Sequence, residues 1–272
     1  MTFEVTDLKQ WEERAYTSSK GNQNKWFANG KWYKEDGLGY ESLSEIVVCR
    51  LLRKTNIAPV VSYEHIKLKR GNQVSNGCCS VDFMEETDDK LISLERLFWA
   101  CEGEGASRAV LAYGTAKERV AYVVDTVERV TRLEDFGFYL KKIFTIDALF
   151  FNGDRHFHNI AVIQKRDGTY RECPIFDHGA SLFSDVKNDY PLALSFAECK
   201  KKAKAKPFSE DFDEQLDACD FLYPEYEVRM DFSRKDVTNL LDTLRGIYAD
   251  QVLKRVEETL FDQMRKYSYL FG

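Results

Sequence analysis

The chain has 272 residues, of which 44% are hydrophobic and 31% charged, and its formal net charge is −6. This length suits one large or two small domains with a buried core. The acidic balance gives no support for direct nucleic-acid binding. The sequence has no apolar stretch of about eighteen residues and no basic-then-apolar leader, so we expect a soluble, cytoplasmic protein without a membrane span. Its seven cysteines form no Cys-x-x-Cys pair, which argues against a disulfide framework or a zinc ribbon.

The first predicted elements are two short strands that follow a polar loop. The loop covers residues 17–25 (TSSKGNQNK), and the strands cover residues 26–28 and 31–34, with a hairpin turn at Asn29-Gly30. Gly21 lets the loop backbone approach a ligand closely, and successive backbone N–H groups in such a loop can bind phosphate. By itself a polar loop is usually only a connection. Residues further along the chain favour a nucleotide-binding role.

A lysine and a glutamate follow at a spacing that is typical of kinases. Lys34 ends the second strand, and Glu45 lies on an amphipathic helix predicted over residues 41–54. In kinases a strand lysine paired with a helix glutamate positions the phosphates of ATP. Lys31 is the alternative lysine, but strand alternation places it on the face opposite Lys34, so only one of the two points at the nucleotide.

The middle of the chain changes from strands to helices. Strands are predicted over residues 60–68 and 78–84, with a polar turn at 69–76 between them. Met84 and Glu85 mark the place where the two lobes of a kinase fold would join and where adenine would bind to backbone groups. The helical part is expected to begin at residues 91–100, and the long helices are predicted over residues 116–132, 135–151, 233–248 and 251–267.

Three polar residues in the stretch 150–185 carry the chemistry: Asp154, Asn159 and Asp177. Two carboxylates and an amide offer only hard oxygen ligands, which suit Mg²⁺ in combination with phosphate oxygens. In phosphoryl transfer one Asp accepts or orients the hydroxyl proton, while an Asn and a second Asp hold the metal on the phosphates.

The strands around these residues predict how they come together. Apolar runs at 160–163 and 174–176 indicate two buried strands, and Arg166-Asp167-Gly168 indicates the turn between them. Asp154 and Asn159 precede the first strand and Asp177 follows the second, so a hairpin would bring the three residues together.

This stretch resembles a known family. Protein kinases place an Asn five residues after the catalytic Asp and continue to Asp-Phe-Gly. Here Asp154 and Asn159 have that spacing, His178 replaces the Phe, and the basic pair follows Asp154 instead of preceding it. The segments GDRHFHN and PIFDHGASL resemble the HipA-like serine/threonine kinases and, more distantly, the phosphatidylinositol kinases. The resemblance covers residues 16–185 and, more weakly, the residues beyond.

The resemblance implies an α+β, two-lobed protein-kinase-like fold. Its small antiparallel β-rich amino lobe would comprise residues 1–86, and its larger helical carboxy lobe residues 87–272. The nucleotide loop begins at Thr17, so we expect a compact form that lacks the amino-terminal subdomain of full-length HipA toxins.

The resemblance also implies a function, an ATP- and Mg²⁺-dependent serine/threonine kinase that can phosphorylate its own nucleotide loop. Asp154 would be the catalytic residue, and Asn159 and Asp177 would bind the metal. The modified serine would be Ser18 or its neighbour Ser19, and a phosphate there would add roughly two negative charges and could expel the loop. The residues expected to bind the nucleotide are Ser18, Ser19, Gly21, Asn22, Gln23, Lys34, Glu45, Met84 and Glu85. An unidentified protein substrate and an antitoxin or other regulatory partner fit this family.

Other hypotheses remain open at this point. The acceptor could be a small-molecule or lipid hydroxyl, or the chain could be a nucleotide-binding regulator with little turnover. A metal hydrolase would use His156 and His158, although zinc requires three or four nitrogen or sulfur ligands and the chain has four histidines. We expect His156 to brace the loop, Asp147 to be a structural carboxylate and Arg155 to be a brace or a charge stabiliser. The lysines of residues 200–206 indicate a solvated face or a docking site for an acidic substrate.

Overall fold

The computed structural model describes residues 2–4, 23–86 and 88–271. Its strands are β1 Thr2–Glu4, β2 Lys25–Ala28, β3 Lys31–Glu35, β4 Glu64–Arg70, β5 Gln73–Val81, β6 Lys90–Ser93, β7 Ala161–Gln164 and β8 Tyr170–Glu172. Its α-helices are α1 Glu41–Leu52, α2 Leu94–Glu102, α3 Ala106–Ala109, α4 Ala116–Thr131, α5 Phe136–Phe150, α6 Phe196–Lys202, α7 Phe212–Leu222, α8 Arg234–Asp242 and α9 Asp250–Lys266. In the ranges described, the helices are too short or too polar to cross a membrane.

The chain forms two compact units, each built from separate parts of the sequence. The first unit comprises residues 1–82, 177–203 and 229–272, and the second comprises residues 83–176 and 204–228. The division into an amino lobe and a carboxy lobe at residue 86 stays a prediction.

A five-stranded sheet with the strand order β1-β4-β5-β3-β2 is the base of the first unit. Its neighbouring strands are antiparallel, except that β1 pairs in parallel with β4. The predicted hairpin at Asn29-Gly30 is confirmed, with Lys25 opposite Lys34. The predicted bounds 60–68 and 78–84 are wrong for β4 and β5, because the chain turns tightly at Gly71, whose φ is 60°. The polar residues on either side of that glycine therefore extend both strands.

Helix α1 packs beside β5 and is buried on nearly all sides. Acidic side chains satisfy the backbone N–H groups at its amino end. Glu41 accepts hydrogen bonds from the N–H groups of Leu38 at 2.5 Å and Gly39 at 3.0 Å. Asp36 Oδ1 accepts a hydrogen bond from the Ser42 N–H at 2.7 Å. A helix end without solvent needs such partners, and negative charge suits its amino terminus.

The segment that begins at Asp177 is bonded to the start of α1. The hydroxyl of Tyr40 donates to the Leu182 carbonyl at 2.7 Å. Gly39 lies so close to this segment that a Cβ at its position would be 2.0 Å from the Ser184 carbonyl oxygen. Helix α1 and the segment are therefore packed together without intervening side chains.

The second unit contains a three-stranded sheet with the order β6-β7-β8. The hairpin predicted here is present, but its second strand is β8 and not residues 174–176. The turn is short, since the Lys165 N–H donates to the Thr169 carbonyl at 2.8 Å, and Pro174 has no N–H with which to continue the ladder. The prediction that residues 91–100 are helical is wrong at its start, because β6 pairs with β7 before α2 begins.

Helices α4 and α5 lie within two residues of the bounds predicted at 116–132 and 135–151. Helix α5 is buried on nearly all sides and ends at Phe151, whose left-handed φ of 52° turns the chain out of the helix. The Asn152 N–H donates back to the Asp147 carbonyl at 2.9 Å. This cap leads the chain directly into the predicted catalytic loop.

The amino end of α1 generates a pH prediction. Burial raises the pKa of Asp36 to about 7, aided by the charge of Glu41 and opposed by hydrogen bonds from Ser42. The carboxyl of an unfolded chain titrates at about 3.9. Between these values the folded protein keeps a proton that the unfolded chain loses, so the free energy of unfolding decreases as the pH rises through this window. Asp36→Asn keeps the acceptor for Ser42 and removes the titration, so the variant should gain stability relative to the wild type on going from pH 4.5 to pH 7.5.

Urea unfolding of both proteins at the two pH values measures this difference. A difference between variant and wild type that does not change with pH would show that Asp36 does not titrate in the window.

Candidate active site

Three charged residues of the first unit meet where β3, α1 and the segment from Asp177 come together. Lys34 donates to Glu45 Oε1 and, at 2.9 Å, to Asp177 Oδ1. Glu45 has no exposed surface, and its other oxygen accepts the backbone N–H of His178 at 2.8 Å. The predicted pairing of Lys34 with Glu45 is confirmed. The same glutamate also joins the strand lysine to the predicted metal-binding segment.

Burial and charge oppose each other in this cluster. Burial alone would lower the pKa of Lys34, but the negative charges of Asp177 and Glu45 outweigh burial and raise that pKa well above its usual range. Burial raises the pKa of Glu45, against the attraction of Lys34. Lys34 is therefore a fixed cation shared by two carboxylates. Charges interact more strongly in such a place than in water.

Lys25 belongs to this cluster and was missed by the sequence analysis. Its Nζ lies 4.0 Å from Asp177 Oδ1. Lys25 and Lys34 are directly opposed in the β2–β3 hairpin, and opposed residues share a face of a sheet. Pairing the residues of the two strands outward from the Asn29-Gly30 turn places Lys25 opposite Lys34, so the sequence does contain this signal.

The second unit carries Asp154 and Asn159 on a compact loop after α5. The Asn159 Nδ2 donates to the Asp154 carbonyl at 3.2 Å, which turns the amide oxygen away from that bond. The backbone of His156 closes the loop, since its N–H donates to the Asp154 carbonyl at 3.0 Å and its carbonyl accepts the Asn159 N–H at 2.8 Å. Asp154 and Asn159 are 7% and 8% exposed, so both are held in place but still reach the surface.

Arg155 is completely buried beneath this loop and acts as the expected brace. Its Nε lies 2.9 Å from Asp147 Oδ2, and its Nη1 donates to the carbonyls of Asn159 at 3.1 Å and Phe176 at 2.8 Å. One arginine thus joins Asn159, two residues before β7, to Phe176, the residue that precedes Asp177 in the chain. Burial raises the pKa of Asp147, and Arg155 opposes that effect.

Besides Arg155, the second unit has another cation at this loop: Lys206 contacts Asp154, the predicted catalytic residue. Its Nζ lies 3.0 Å from Asp154 Oδ1. The composition of the lysine run predicts only a solvated or docking surface for Lys206. No local pattern links two residues so far apart in the chain, so only the folded structure reveals this contact.

Most of the predicted nucleotide loop lies outside the described residues. Ser18, Ser19, Gly21 and Asn22 fall in that part of the chain, whereas Gln23 is described. The Gln23 Nε2 is buried and has no hydrogen-bond partner within the described ranges. It is thus a donor suited to an anion.

Met84 and Glu85 belong to the second unit. Phe83 and Met84 pack on an apolar cluster formed by β7 and its neighbours. Arg171 of β8 donates to the Phe83 carbonyl at 3.2 Å and lies 3.4 Å from Glu85 Oε1. This segment is therefore attached to the three-stranded sheet. The adenine-binding role of Met84 and Glu85 stays a prediction.

Comparison with known proteins bears on the fold. No protein-family model and no curated protein sequence matches the chain. Among solved structures, the chain is similar to the proinflammatory kinase CtkA of Helicobacter pylori, with a TM-score of 0.63 and 15% identity over 98% of this chain and 95% of that one. It is also similar to a chain of the Shewanella oneidensis MR-1 HipA–HipB toxin–antitoxin complex with operator DNA, with a TM-score of 0.50 and 12% identity over 96% of this chain and 67% of that one.

The chain has a HipA-like kinase fold. This result confirms the family resemblance and the α+β class at the level of the fold.

His156 and His158 lie close together in the predicted catalytic loop. The His156 and His158 rings are 5.5 Å apart, but the described residues include no group of three His, Cys, Asp or Glu that could hold a metal ion. A magnesium site made of one carboxylate, one amide and phosphate oxygens would not form such a group.

The brace beneath the catalytic loop generates a stability prediction. Arg155→Met would leave Asp147 buried without its cation, so we expect the free energy of unfolding to fall by about 3–5 kcal/mol. Adding Asp147→Leu should restore part of this loss, because neither charge then remains buried, whereas the bonds of Arg155 to the Asn159 and Phe176 carbonyls stay lost. Chemical denaturation followed by circular dichroism measures both variants.

The matched control is Arg166→Met, because the Arg166 side chain is 84% exposed and lies 3.5 Å from Asp88. It should change the unfolding free energy by less than about 0.5 kcal/mol. Equal stability of Arg155→Met and Arg166→Met would contradict the brace.

Proposed function

We propose that this chain is a kinase that transfers the γ-phosphoryl group of ATP, with Mg²⁺, to the hydroxyl group of a protein serine or threonine. The observation that carries the proposal is the buried Lys34, held by Glu45 of α1 and Asp177. Kinases use this lysine–glutamate pair to position the phosphates and this aspartate to hold the metal. The Asp154–Asn159 loop of the second unit supports the same chemistry, as does the HipA-like kinase fold.

The residues divide the reaction as follows. The hydroxyl oxygen of the acceptor would attack the γ-phosphorus while the bond to the β–γ bridging oxygen breaks, so that ADP leaves with the electron pair. Asp154 would orient the hydroxyl and accept its proton. Lys34 would hold the phosphates.

The donor set suits magnesium. Asp177 offers a carboxylate and Asn159 an amide oxygen, and Mg²⁺ prefers such oxygen ligands completed by phosphate and water. Bound there, the metal would neutralise the charge of the phosphates. Asp177 has the left-handed φ of 62°, a conformation that aspartate adopts more readily than most residues.

The acceptor and the partners rest on the resemblance. A protein serine or threonine is the HipA-like acceptor, and Ser18 or Ser19 is the first internal candidate. The HipA neighbour is part of a toxin–antitoxin complex, which supports a search for a regulatory partner of this chain.

The first test is incubation of phosphatase-treated protein with radiolabelled ATP, Mg²⁺ and a general protein acceptor such as casein. We expect label in the wild type and a loss of about 10²-fold or more in Asp154→Asn, because the proton acceptor is removed. Asp177→Asn should lose activity and the dependence of ATP binding on Mg²⁺. The control is Asp167→Asn, which lies in the exposed turn between β7 and β8. This variant should keep wild-type activity.

Each other outcome has a definite meaning. Label on a small molecule or lipid hydroxyl, with none on protein, would replace the acceptor class but keep the kinase. Tight ATP binding without transfer to any acceptor would favour the nucleotide-binding regulator. Absence of ATP binding would overturn the proposal.

The choice between two lysines gives a second test. Lys34→Met should lower kcat/KM for ATP by about 10²–10³-fold, because a buried donor to the phosphates is lost. Lys31→Met should change it less than twofold, because Lys31 is exposed on β3. Thermal unfolding checks that both variants fold. Glu45→Gln keeps an acceptor for the His178 N–H but removes the negative charge beside Lys34, so it weakens the positioning of Lys34 by a second route. A large effect of Lys31→Met with none of Lys34→Met would reverse the assignment.

A further inference from the structure

Resting on the proposed kinase function, we propose that Lys206 is a positioning residue for phosphoryl transfer, acting through Asp154. Its ammonium lies 3.0 Å from Asp154 Oδ1. The backbone bonds of the loop fix where Asp154 begins, and His156 Nε2 lies 3.8 Å from Asp154 Oδ2, the other oxygen of the carboxylate. Lys206 binds the carboxylate itself, so it orients the group that must accept the hydroxyl proton.

The segment that presents Lys206 is built against the catalytic loop. Phe208 is completely buried, and its ring centroid lies 5.4 Å from that of Phe157 in the loop. On the other side of the lysine, a Cβ added to Gly153 would lie 3.0 Å from the Lys204 carbonyl oxygen. The lysine therefore lies between two points at which its segment touches the loop.

Further bonds hold the same segment in the second unit. The Phe208 N–H donates to Gln215 Oε1 at 2.7 Å, and the Phe208 carbonyl accepts Arg119 Nη1 at 2.8 Å. The Ala205 N–H donates to the Glu210 carbonyl at 2.9 Å. The backbone on both sides of Lys206 is thus fixed, which reduces the freedom of its side chain to leave Asp154.

Three other lysines of the run have different partners in the described structure. Lys200 binds Asp262 at 2.7 Å, Lys202 donates to the Asp189 carbonyl at 2.5 Å, and Lys204 binds Glu210 at 2.5 Å. Lys206 is distinguished by a partner that is the proposed catalytic group, and the Asp154 side chain is only 9% exposed.

Stability does not explain the Lys206 contact well. Its side chain is 47% exposed, and pairs with that much solvent contribute little to folding. An orienting role needs only that the ammonium be present when the hydroxyl proton is transferred. During that step Asp154 becomes neutral, and the cation beside it also offsets the negative charge on the phosphoryl group.

The test compares Lys206→Met, Lys206→Arg and Lys204→Met as purified full-length proteins. Lys206→Met should lower kcat by about 10²-fold, the effect of a misplaced catalytic group, with the KM for ATP changed less than threefold. Lys206→Arg should recover at least a tenth of the wild-type rate. Lys204→Met, two residues away and also exposed, should match the wild type in rate and thermal unfolding.

A double-variant comparison separates action through Asp154 from other roles. In the Asp154→Asn background, Lys206→Met should cost less than threefold further, because the group that it orients is already lost. Equal losses in both backgrounds would overturn the positioning role, as would an unchanged kcat in Lys206→Met. A wild type that transfers no label would overturn the kinase itself, whereas an active wild type with an equally active Lys206→Met would overturn this inference alone.

Discussion

The first unit depends on one buried carboxylate, that of Glu45. A negative charge without exposed surface is costly unless hydrogen bonds and an opposite charge compensate for it. Lys34 and the backbone N–H of His178 provide this compensation, and they come from β3 and from the segment that begins at Asp177. Moving α1 or the strand away would leave a buried charge unpaired, and moving the segment away would remove a hydrogen bond from the buried Glu45. The arrangement that would position the phosphates and the metal-binding aspartate is thus also the arrangement that makes this interior stable.

The second unit repeats the principle with the opposite charge at its centre. Arg155 is buried, Asp147 neutralises it, and its remaining donors bind backbone carbonyls at the two ends of the hairpin region. A guanidinium suits this task because its donors point in several directions within one plane, whereas a lysine ammonium is a compact point charge. In both units a buried charge satisfies backbone groups of the segments that carry Asp154 and Asp177, which belong to no strand or helix.

The sequence was informative where the signal was local. The Asn29-Gly30 turn and the apolar length of α5 were sufficient to predict the β2–β3 hairpin and the helix. The strand expected at residues 174–176 was wrong because hydrophobicity was given more weight than the missing N–H of Pro174. Strand β6 was missed because a four-residue apolar strand directly before a helix has no periodicity of its own. Lys206 has no local signal, since its partner depends on how a distant segment packs.

The charges of the site are balanced within each unit. In the first, Lys25 and Lys34 face Glu45 and Asp177; in the second, Lys206 faces Asp154. A magnesium nucleotide brings a cation for the carboxylates and phosphate anions for the lysines. Its binding would therefore exchange ion pairs within the protein for ion pairs with the ligand. No charge would have to become buried without a partner, so the desolvation cost of the buried site is already met by folding and is not added again on binding. A chain with a net charge of −6 thus places lysines beside Glu45, Asp177 and Asp154.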